Sequence, residues 1–277
     1  MIGGYLKLLR PFNLIIAGAS FFVSFVLAGK FPPLKDFLLS FGVVLFFAGG
    51  GYVINDFADI ETDRVAHPSR PIPRGEADRN RSLLFGLTLF ALGAIFAFSL
   101  KPLPRLIALF VFVLLLLYDF YLKDLPLIGN IAVALSASVL FLFGGALVGR
   151  LGALIYPAVF AFLYHLGREL VKDVEDVAGD RESGRFTLPL LWGEDRTLKL
   201  AGVIYLFLVL LTPIPYLAGV YNLRYFLIVF LGVDLPLLFV IWRFFTEFPD
   251  RNLKKVDLFL KVDMIVALFA LYEGGLV

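Results

Sequence analysis

The chain alternates long apolar runs with short polar connections from end to end. The apolar runs fall at residues 12–29, 36–55, 82–100, 103–121, 126–149, 151–171, 197–217, 223–245 and 257–276. Each is close to the ~20 residues that an α-helix needs to cross the hydrocarbon core of a bilayer. The pattern therefore predicts an all-α membrane protein with nine transmembrane helices. No polar stretch is long enough to fold alone, so residues 1–277 are expected to form a single transmembrane domain.

Composition supports the membrane class and narrows the chemistry. Hydrophobic residues make up 60% of the chain, against about 45–50% in a typical soluble domain. The sequence has no cysteine, which excludes disulfides, thiolate nucleophiles and cysteine-ligated metals. The formal net charge of +2 gives no indication of a nucleic-acid partner, and no segment indicates an obligate protein partner. Membrane lipids are the expected surroundings.

Lys and Arg are unevenly divided between the two sets of alternate connections. The set that includes the N-terminus holds most of them, including those of two long polar loops near residues 56–81 and 172–196. The positive-inside rule therefore predicts a multi-pass protein of the cell membrane with a cytoplasmic N-terminus and both long loops on the cytoplasmic side. Nine crossings would place the C-terminus outside.

The two long loops carry the same acidic pattern. In each, three aspartates are spaced three and then four residues apart, and an arginine follows the last: Asp56, Asp59, Asp63 and Arg64 in the first loop, and Asp173, Asp176, Asp180 and Arg181 in the second. This spacing places the three carboxylates on one face if the helix continues through the motif. Asn55 joins the first stripe, four residues before Asp59.

Carboxylates on one helix face repel each other unless a cation neutralises them. Oxygen ligands without cysteine favour Mg²⁺, Mn²⁺ or Ca²⁺ over zinc, and Mg²⁺ is typically held by one or two carboxylates together with substrate phosphates. Two facing triplets could hold Mg²⁺ around a diphosphate, and nearby arginines could contact the remaining phosphate oxygens: Arg64, Arg70, Arg74, Arg181 and Arg185. The membrane setting adds an apolar tail, so the pattern predicts an isoprenoid diphosphate as substrate.

Other classes of protein share parts of this pattern. A single acidic cluster at a helix end is most often a solvated surface, although the duplicated spacing disfavours that interpretation. A transporter would hold its charges near the middle of the membrane on broken helices, whereas these aspartates follow the ends of apolar runs. A CDP-alcohol phosphotransferase is a further Mg²⁺-dependent alternative, but its Asp-Gly-x-x-Ala-Arg run is absent from the sequence.

Four stretches resemble the UbiA superfamily of intramembrane prenyltransferases. NDFADIETDRVAHPSRPIPRG, from residue 55, resembles its NDxxDxxxD signature, and RELVKDVEDVAGDRESG, from residue 168, resembles its second acidic motif. YDFYLKDLPLIGN at residues 118–130 resembles its Tyr-x-x-x-Leu-Lys stretch, and RPFN at residues 10–13 resembles its N-terminal entry. The resemblance spans nearly the whole chain and implies helices around a central cavity with a cytoplasmic polar cap.

The acidic pattern and the resemblance together imply roles for individual residues, with Mg²⁺ as the cofactor. Metal binding would fall to Asn55, Asp56, Asp59, Asp63, Asp173, Asp176 and Asp180. Diphosphate binding would fall to Arg64, Arg70, Tyr118, Lys123 and Arg181. The residues expected to carry the chemistry are Asp59, Asp63, Asp176, Asp180 and Lys123.

A phosphate-bearing acceptor would require cations of its own, for which the candidates are Lys7, Arg10, His165 and Arg168. Arg168 lies inside an apolar run, where an ionisable residue is by default a functional-site candidate. Structural roles are the alternative. Lys7, Arg10 and Lys123 could anchor helices at the membrane interface. His165 could be a hydrogen-bonded packing residue, and Arg168 could form a structural ion pair.

The stretch LKDLPLIGNIAVA, from residue 122, and the compact loops most resemble the archaeal ether-lipid branch of the superfamily. This resemblance implies transfer of a geranylgeranyl group from geranylgeranyl diphosphate to the free glycerol hydroxyl of geranylgeranylglyceryl phosphate, a lipid-like acceptor. An aromatic acceptor, as in the synthesis of quinones, haem or chlorophyll, is the alternative within the superfamily.

Overall fold

The computed structural model describes residues 2–246 and 252–276, and its regular structure within these ranges is helical. The α-helices of the described residues are α1 (Ile2–Leu8), α2 (Pro11–Ala28), α3 (Leu34–Ala58), α4 (Ile60–Ala66), α5 (Arg79–Phe98), α6 (Pro102–Phe120), α7 (Ile128–Val148), α8 (Ile155–Glu175), α9 (Val177–Glu182), α10 (Leu188–Trp192), α11 (Glu194–Leu211), α12 (Ile214–Leu217), α13 (Leu223–Val229), α14 (Leu235–Phe245) and α15 (Leu253–Gly274). Two 3₁₀ turns, Leu122–Asp124 and Leu151–Leu154, and a π-helical turn, Phe230–Asp234, lie between them.

Eight helical segments within the described residues are long and apolar enough to cross a membrane: Pro11–Ala28, Leu34–Ala58, Arg79–Phe98, Pro102–Phe120, Ile128–Val148, Leu151–Glu175, Glu194–Leu217 and Leu223–Phe245. They confirm the predicted all-α, multi-pass membrane class. The ninth predicted run corresponds to α15, whose charged residues keep it outside this apolar set: Lys254, Lys255, Asp257, Lys261, Asp263 and Glu273. The count of nine crossings therefore stays a prediction.

Local sequence signals determine where several helices begin and end. Pro11 and Pro102 occupy the first positions of α2 and α6. A backbone N–H at this position has no hydrogen-bond partner within the helix, so proline loses no bond there, and its ring already fixes φ at a helical value. Asp78 caps α5, because its carboxylate accepts a hydrogen bond from the Arg81 backbone N–H at 2.8 Å. Gly29 ends α2 in the left-handed conformation, which glycine adopts without a Cβ clash.

Glycines let α3 and α5 approach each other closely. A Cβ on Gly50 would lie 2.7 Å from the Phe90 ring, and one on Gly86 would lie 2.8 Å from Ile54. Small residues at such contacts are typical of membrane bundles, where close packing rather than the hydrophobic effect drives helix association. This packing fixes the C-terminal half of α3, which leads into the first acidic motif.

Each acidic motif interrupts a long helix at its middle aspartate. Asp59, between α3 and α4, has φ −93° and ψ 11°, and Asp176, between α8 and α9, has φ −91° and ψ 1°. Hydrogen bonds from Asp63 N to Asp59 O (2.8 Å) and from Asp180 N to Asp176 O (3.0 Å) continue the helical pattern across each interruption. The short helices α4 and α9 contact each other, so the two motifs meet.

Candidate active site

The two acidic motifs line one small polar cleft. Its volume is about 60 Å³, and its polar walls include Asn55, Asp59, Asp63, Arg70, Tyr118, Lys123, Asn130, Asp173, Asp176, Asp180 and Arg185. Five of the six predicted aspartates are thus brought together with Asn55. The sixth, Asp56, lies next to the cleft and pairs with the side chains of Arg10 and Arg70.

Asp59 is held by two cations from distant parts of the chain. Its Oδ1 atom lies 2.5 Å from Lys123 Nζ and also accepts a hydrogen bond from Arg185 Nη2. Burial raises the pKa of the Asp59 carboxyl, but the charges of Lys123 and Arg185 outweigh this effect and hold the pKa below its ordinary value. Asp59 is therefore ionised at neutral pH.

Arg70 and Arg10 hold the other two aspartates of the first motif. Arg70 Nη1 donates to Asp63 Oδ2 at 2.6 Å and lies 3.3 Å from Asp56 Oδ1. Burial nevertheless raises the pKa of Asp63 above its ordinary value, against the charge of Arg70. Arg10 Nη2 donates to Asp56 Oδ1 at 2.5 Å. Arg10, which was predicted to bind the acceptor, therefore contacts the first acidic motif.

Two aspartates of the second motif have partners of their own, while Asp180 shares Arg185 with Asp59. Asn130 Nδ2 donates to Asp173 Oδ2 at 2.8 Å, and Asp176 Oδ1 lies 3.0 Å from His67 Nε2. Burial raises the pKa of Asp176, but the contact with His67 and the charge of Lys172 bring it below its ordinary value. Neither His67 nor Asn130 was among the predicted site residues. The available signals were their positions, four residues after Asp63 and at the end of the YDFYLKDLPLIGN stretch.

Cationic side chains balance most of these carboxylates. Within residues 2–246 and 252–276, no group of three or more aspartate, glutamate or histidine side chains is arranged to hold a metal ion. The donor chemistry nevertheless fits a hard divalent cation, because carboxylate and amide oxygens are its preferred ligands. Asp119, whose Oδ1 accepts from Asn55 Nδ2 at 3.3 Å, also has a buried Oδ2 with no hydrogen-bond partner.

A larger, mainly apolar cavity of about 590 Å³ adjoins the cleft. Asn55, Tyr118, Lys172 and Asp176 are among the residues that line both spaces. Aromatic rings contribute much of the larger wall: Phe47, Phe141, Phe143, Phe160 and Tyr164. A polar cleft joined to an apolar cavity suits a ligand with a charged head and a hydrocarbon tail.

Besides Asp56, three residues predicted to bind the diphosphate or the acceptor lie outside both spaces, as does Arg74. Lys7 Nζ pairs with Glu76 Oε2 at 2.8 Å, and its side chain is 62% exposed. Arg64 Nη1 pairs with Glu61 Oε2 at 2.8 Å and is 60% exposed, and Arg181 is also exposed. The outward faces of α1, α4 and α9 carry these side chains, which suits the helix-anchoring alternative stated for Lys7.

His165 and Arg168 line the larger cavity from α8. Arg168 Nη2 lies 2.7 Å from Asp257 Oδ1 on α15. Asp257 Oδ2 in turn lies 2.7 Å from Lys261 Nζ. Arg168 therefore has a structural ion pair and also contributes to the cavity wall, so the two roles considered for it are compatible.

Comparison with known proteins identifies the family to which the chain belongs. Residues 17–262 match the UbiA prenyltransferase family, and since this match covers most of the sequence, the chain belongs to that family of enzymes. The digeranylgeranylglyceryl phosphate synthase of Thermococcus gammatolerans is 36% identical to it over 98% of both chains. A solved structure of digeranylgeranylglyceryl phosphate synthase superposes with a TM-score of 0.79 at 30% identity, over 99% of this chain and 98% of the other.

A more distant structure shows the shared fold. A UbiA homolog from Archaeoglobus fulgidus, bound to GPP and Mg²⁺, superposes with a TM-score of 0.75 at 19% identity over 98% of each chain. The predicted superfamily is thus confirmed by sequence and by fold.

Proposed function

We propose that this chain transfers a geranylgeranyl group from geranylgeranyl diphosphate to geranylgeranylglyceryl phosphate in ether-lipid synthesis. Two proteins named digeranylgeranylglyceryl phosphate synthase resemble it at 30% and 36% identity over nearly its whole length, which supports this acceptor. The observation that carries the proposal is the cleft where both acidic motifs meet, beside a cavity that suits a prenyl tail.

Mg²⁺ is the proposed cofactor. The homolog that is bound to GPP and Mg²⁺ supports this choice, and so do the oxygen donors of the cleft. The residues that would hold the metal are Asn55, Asp56, Asp59, Asp63, Asp173, Asp176 and Asp180. When bound, Mg²⁺ would supply Lewis-acid stabilisation of the diphosphate leaving group.

Lys123, Arg185 and Arg70 are the cations best placed to bind the diphosphate. Each donates to a carboxylate of the first motif, and diphosphate oxygens are acceptors of the same charged kind. Tyr118 lines both the cleft and the larger cavity, so it would lie where the head and tail of the donor join. For Arg64 and Arg181, diphosphate binding stays a prediction.

The proposed transfer breaks the bond between C1 of the prenyl group and the diphosphate oxygen, and the electron pair leaves with the diphosphate. The acceptor hydroxyl oxygen forms the new bond to C1, and one proton is released. Lys123, Arg185 and Arg70 stabilise the negative charge that develops on the leaving group. The apolar wall keeps water away from the allylic carbon, which would otherwise be hydrolysed.

The proposed topology has nine crossings around a central cavity, with α15 as the last and a cytoplasmic polar cap. α15 packs against α2, α8 and α13, and its Asp263 carboxyl faces the protein, since it is 2% exposed and accepts a hydrogen bond from Tyr164 OH at 2.8 Å. The excess of Lys and Arg in the two long loops supports a cytoplasmic N-terminus and active site. Residues 1–277 would form one domain.

Purified protein and isotopically labelled geranylgeranyl diphosphate test the proposal. The label is expected in a doubly prenylated lipid when geranylgeranylglyceryl phosphate is supplied. Transfer to a hydroxybenzoate instead would support the aromatic alternative. Turnover of a labelled CDP-alcohol without prenyl transfer would support a phosphotransferase.

A further inference from the structure

The larger cavity carries a set of cations distinct from those that hold the first acidic motif. Arg168 and Lys172 lie four residues apart on α8, and therefore on one face of the helix. Lys261 joins them from α15 through Asp257, the carboxylate that Arg168 and Lys261 share. All three cations line the cavity. The proposed diphosphate contacts use none of them.

These cations have hydrogen-bonding capacity that their carboxylate partners do not use. Arg168 Nε is buried and has no hydrogen-bond partner. Lys172 Nζ lies 3.7 Å from Glu169 Oε2, which is beyond hydrogen-bond distance. The Lys172 side chain is 33% exposed and that of Lys261 is 32% exposed. Their ammonium groups can therefore reorient toward a ligand in the cavity.

We propose that Arg168, Lys172 and Lys261 bind the phosphate monoester of the acceptor. This inference rests on the proposed function and adds the recognition of its acceptor. A glycerol backbone keeps the phosphate within two carbons of the hydroxyl that reacts. Lys172 meets this requirement because it lines both the cavity and the cleft. The phosphate would therefore lie beside the donor diphosphate without sharing its cations.

Oriented N–H donors, rather than net positive charge, would select the phosphorylated acceptor. Glu169 and Asp257 pair with these cations, and Glu175 adds another carboxylate to the cavity wall. A phosphate dianion accepts several N–H bonds in the geometry that guanidinium and ammonium groups supply. A neutral acceptor cannot replace those bonds, so the enzyme should discriminate against it.

The test compares geranylgeranylglyceryl phosphate with geranylgeranylglycerol, which lacks the phosphate. Lys172→Gln and Lys261→Gln should each raise KM for the phosphorylated acceptor roughly tenfold to hundredfold, the range for losing a charge-assisted hydrogen bond, with a much smaller change in kcat. The ratio of kcat/KM for the two acceptors should fall accordingly. Lys255→Gln, at an exposed position of the same helix, is the matched control and should keep the wild-type ratio.

Acceptor binding is also measured in the absence of the prenyl donor. The quantity compared is the rise in Tm caused by geranylgeranylglyceryl phosphate minus the rise caused by geranylgeranylglycerol. The wild type should show this rise, Lys261→Gln should lose most of it, and Lys261→Arg should recover it. Equal stabilisation by the two acceptors, or a kcat/KM ratio unchanged in both Gln variants, would overturn the phosphate site. Phosphate-dependent binding without prenyl transfer would overturn the proposed function and leave the site standing.

Discussion

His67 Nε2 lies 3.0 Å from Asp176 Oδ1, and this contact joins the loop behind the first acidic motif to the middle aspartate of the second. Lys123 and Arg185 meet on Asp59 in the same cleft. The cleft is therefore assembled from segments that are far apart in sequence, and each of its two middle aspartates is fixed by partners from elsewhere in the chain.

Asp59→Ala and Asp176→Ala should each abolish prenyl transfer, with losses in kcat/KM on the order of 10²–10³-fold or more. Both carboxylates line the cleft that would hold the metal and diphosphate. The measurement is single-turnover transfer by purified variants, with size-exclusion profiles to establish that they fold in detergent. Glu61→Ala, at an exposed position, is the control. Normal activity in both aspartate variants would refute their role in catalysis.

Removal of divalent metal with EDTA should abolish transfer, and added Mg²⁺ should restore it. The physical reason is that negative charge develops on the diphosphate leaving group, and the Lys and Arg side chains of the cleft are not sufficient to stabilise it without the metal. Mg²⁺ added together with unreactive diphosphate should also raise Tm, which reports binding independently of turnover. Undiminished turnover in excess chelator would remove the metal from the proposed reaction.

Lys123→Met should lower kcat/KM for the prenyl diphosphate by roughly 10²-fold, because it removes a buried charge that would stabilise the leaving group. The Lys123 side chain is 10% exposed and faces Asp59. Initial rates at varied donor concentration provide the measurement, and Lys255→Met is the matched lysine control. If Lys123→Met kept wild-type kinetics, the ion pair of Lys123 with Asp59 would have a structural role only.

Gly129→Ala should lower both activity and stability, because Gly129 allows α7 to start against the turn that carries Lys123. A Cβ there would lie 2.9 Å from Leu122 O and 3.0 Å from Lys123 Cα, and both neighbours are backbone atoms. Such overpacking typically costs about 1–3 kcal/mol. Thermal unfolding in detergent and the donor KM are the two measurements.

Gly152→Ala is the control for this packing argument, since a Cβ on Gly152 would meet no atom within 4 Å. It should leave Tm and KM close to their wild-type values. A Gly129→Ala protein with unchanged Tm and unchanged donor KM would show that the Lys123 turn tolerates displacement.

Local properties of the sequence determined the membrane class, the superfamily and the acidic motifs. Apolar run length reports membrane-spanning helices because the bilayer sets the required length. The repeated three-and-four spacing identified Asp59 and Asp176 because equivalent motifs need the same positions on a helix. Lys123 was found through the family resemblance, as part of the short stretch YDFYLKDLPLIGN.

Only the tertiary structure decided which cation meets which carboxylate. Lys123 and Arg185 reach Asp59 across 64 and 126 residues of sequence, and no local pattern encodes such a distance. Packing also turned Lys7 and Arg64 to the surface and brought Lys261 to the cavity. A charged residue acts in a site only when the packing of its helix turns it there, and that packing depends on every neighbouring helix at once.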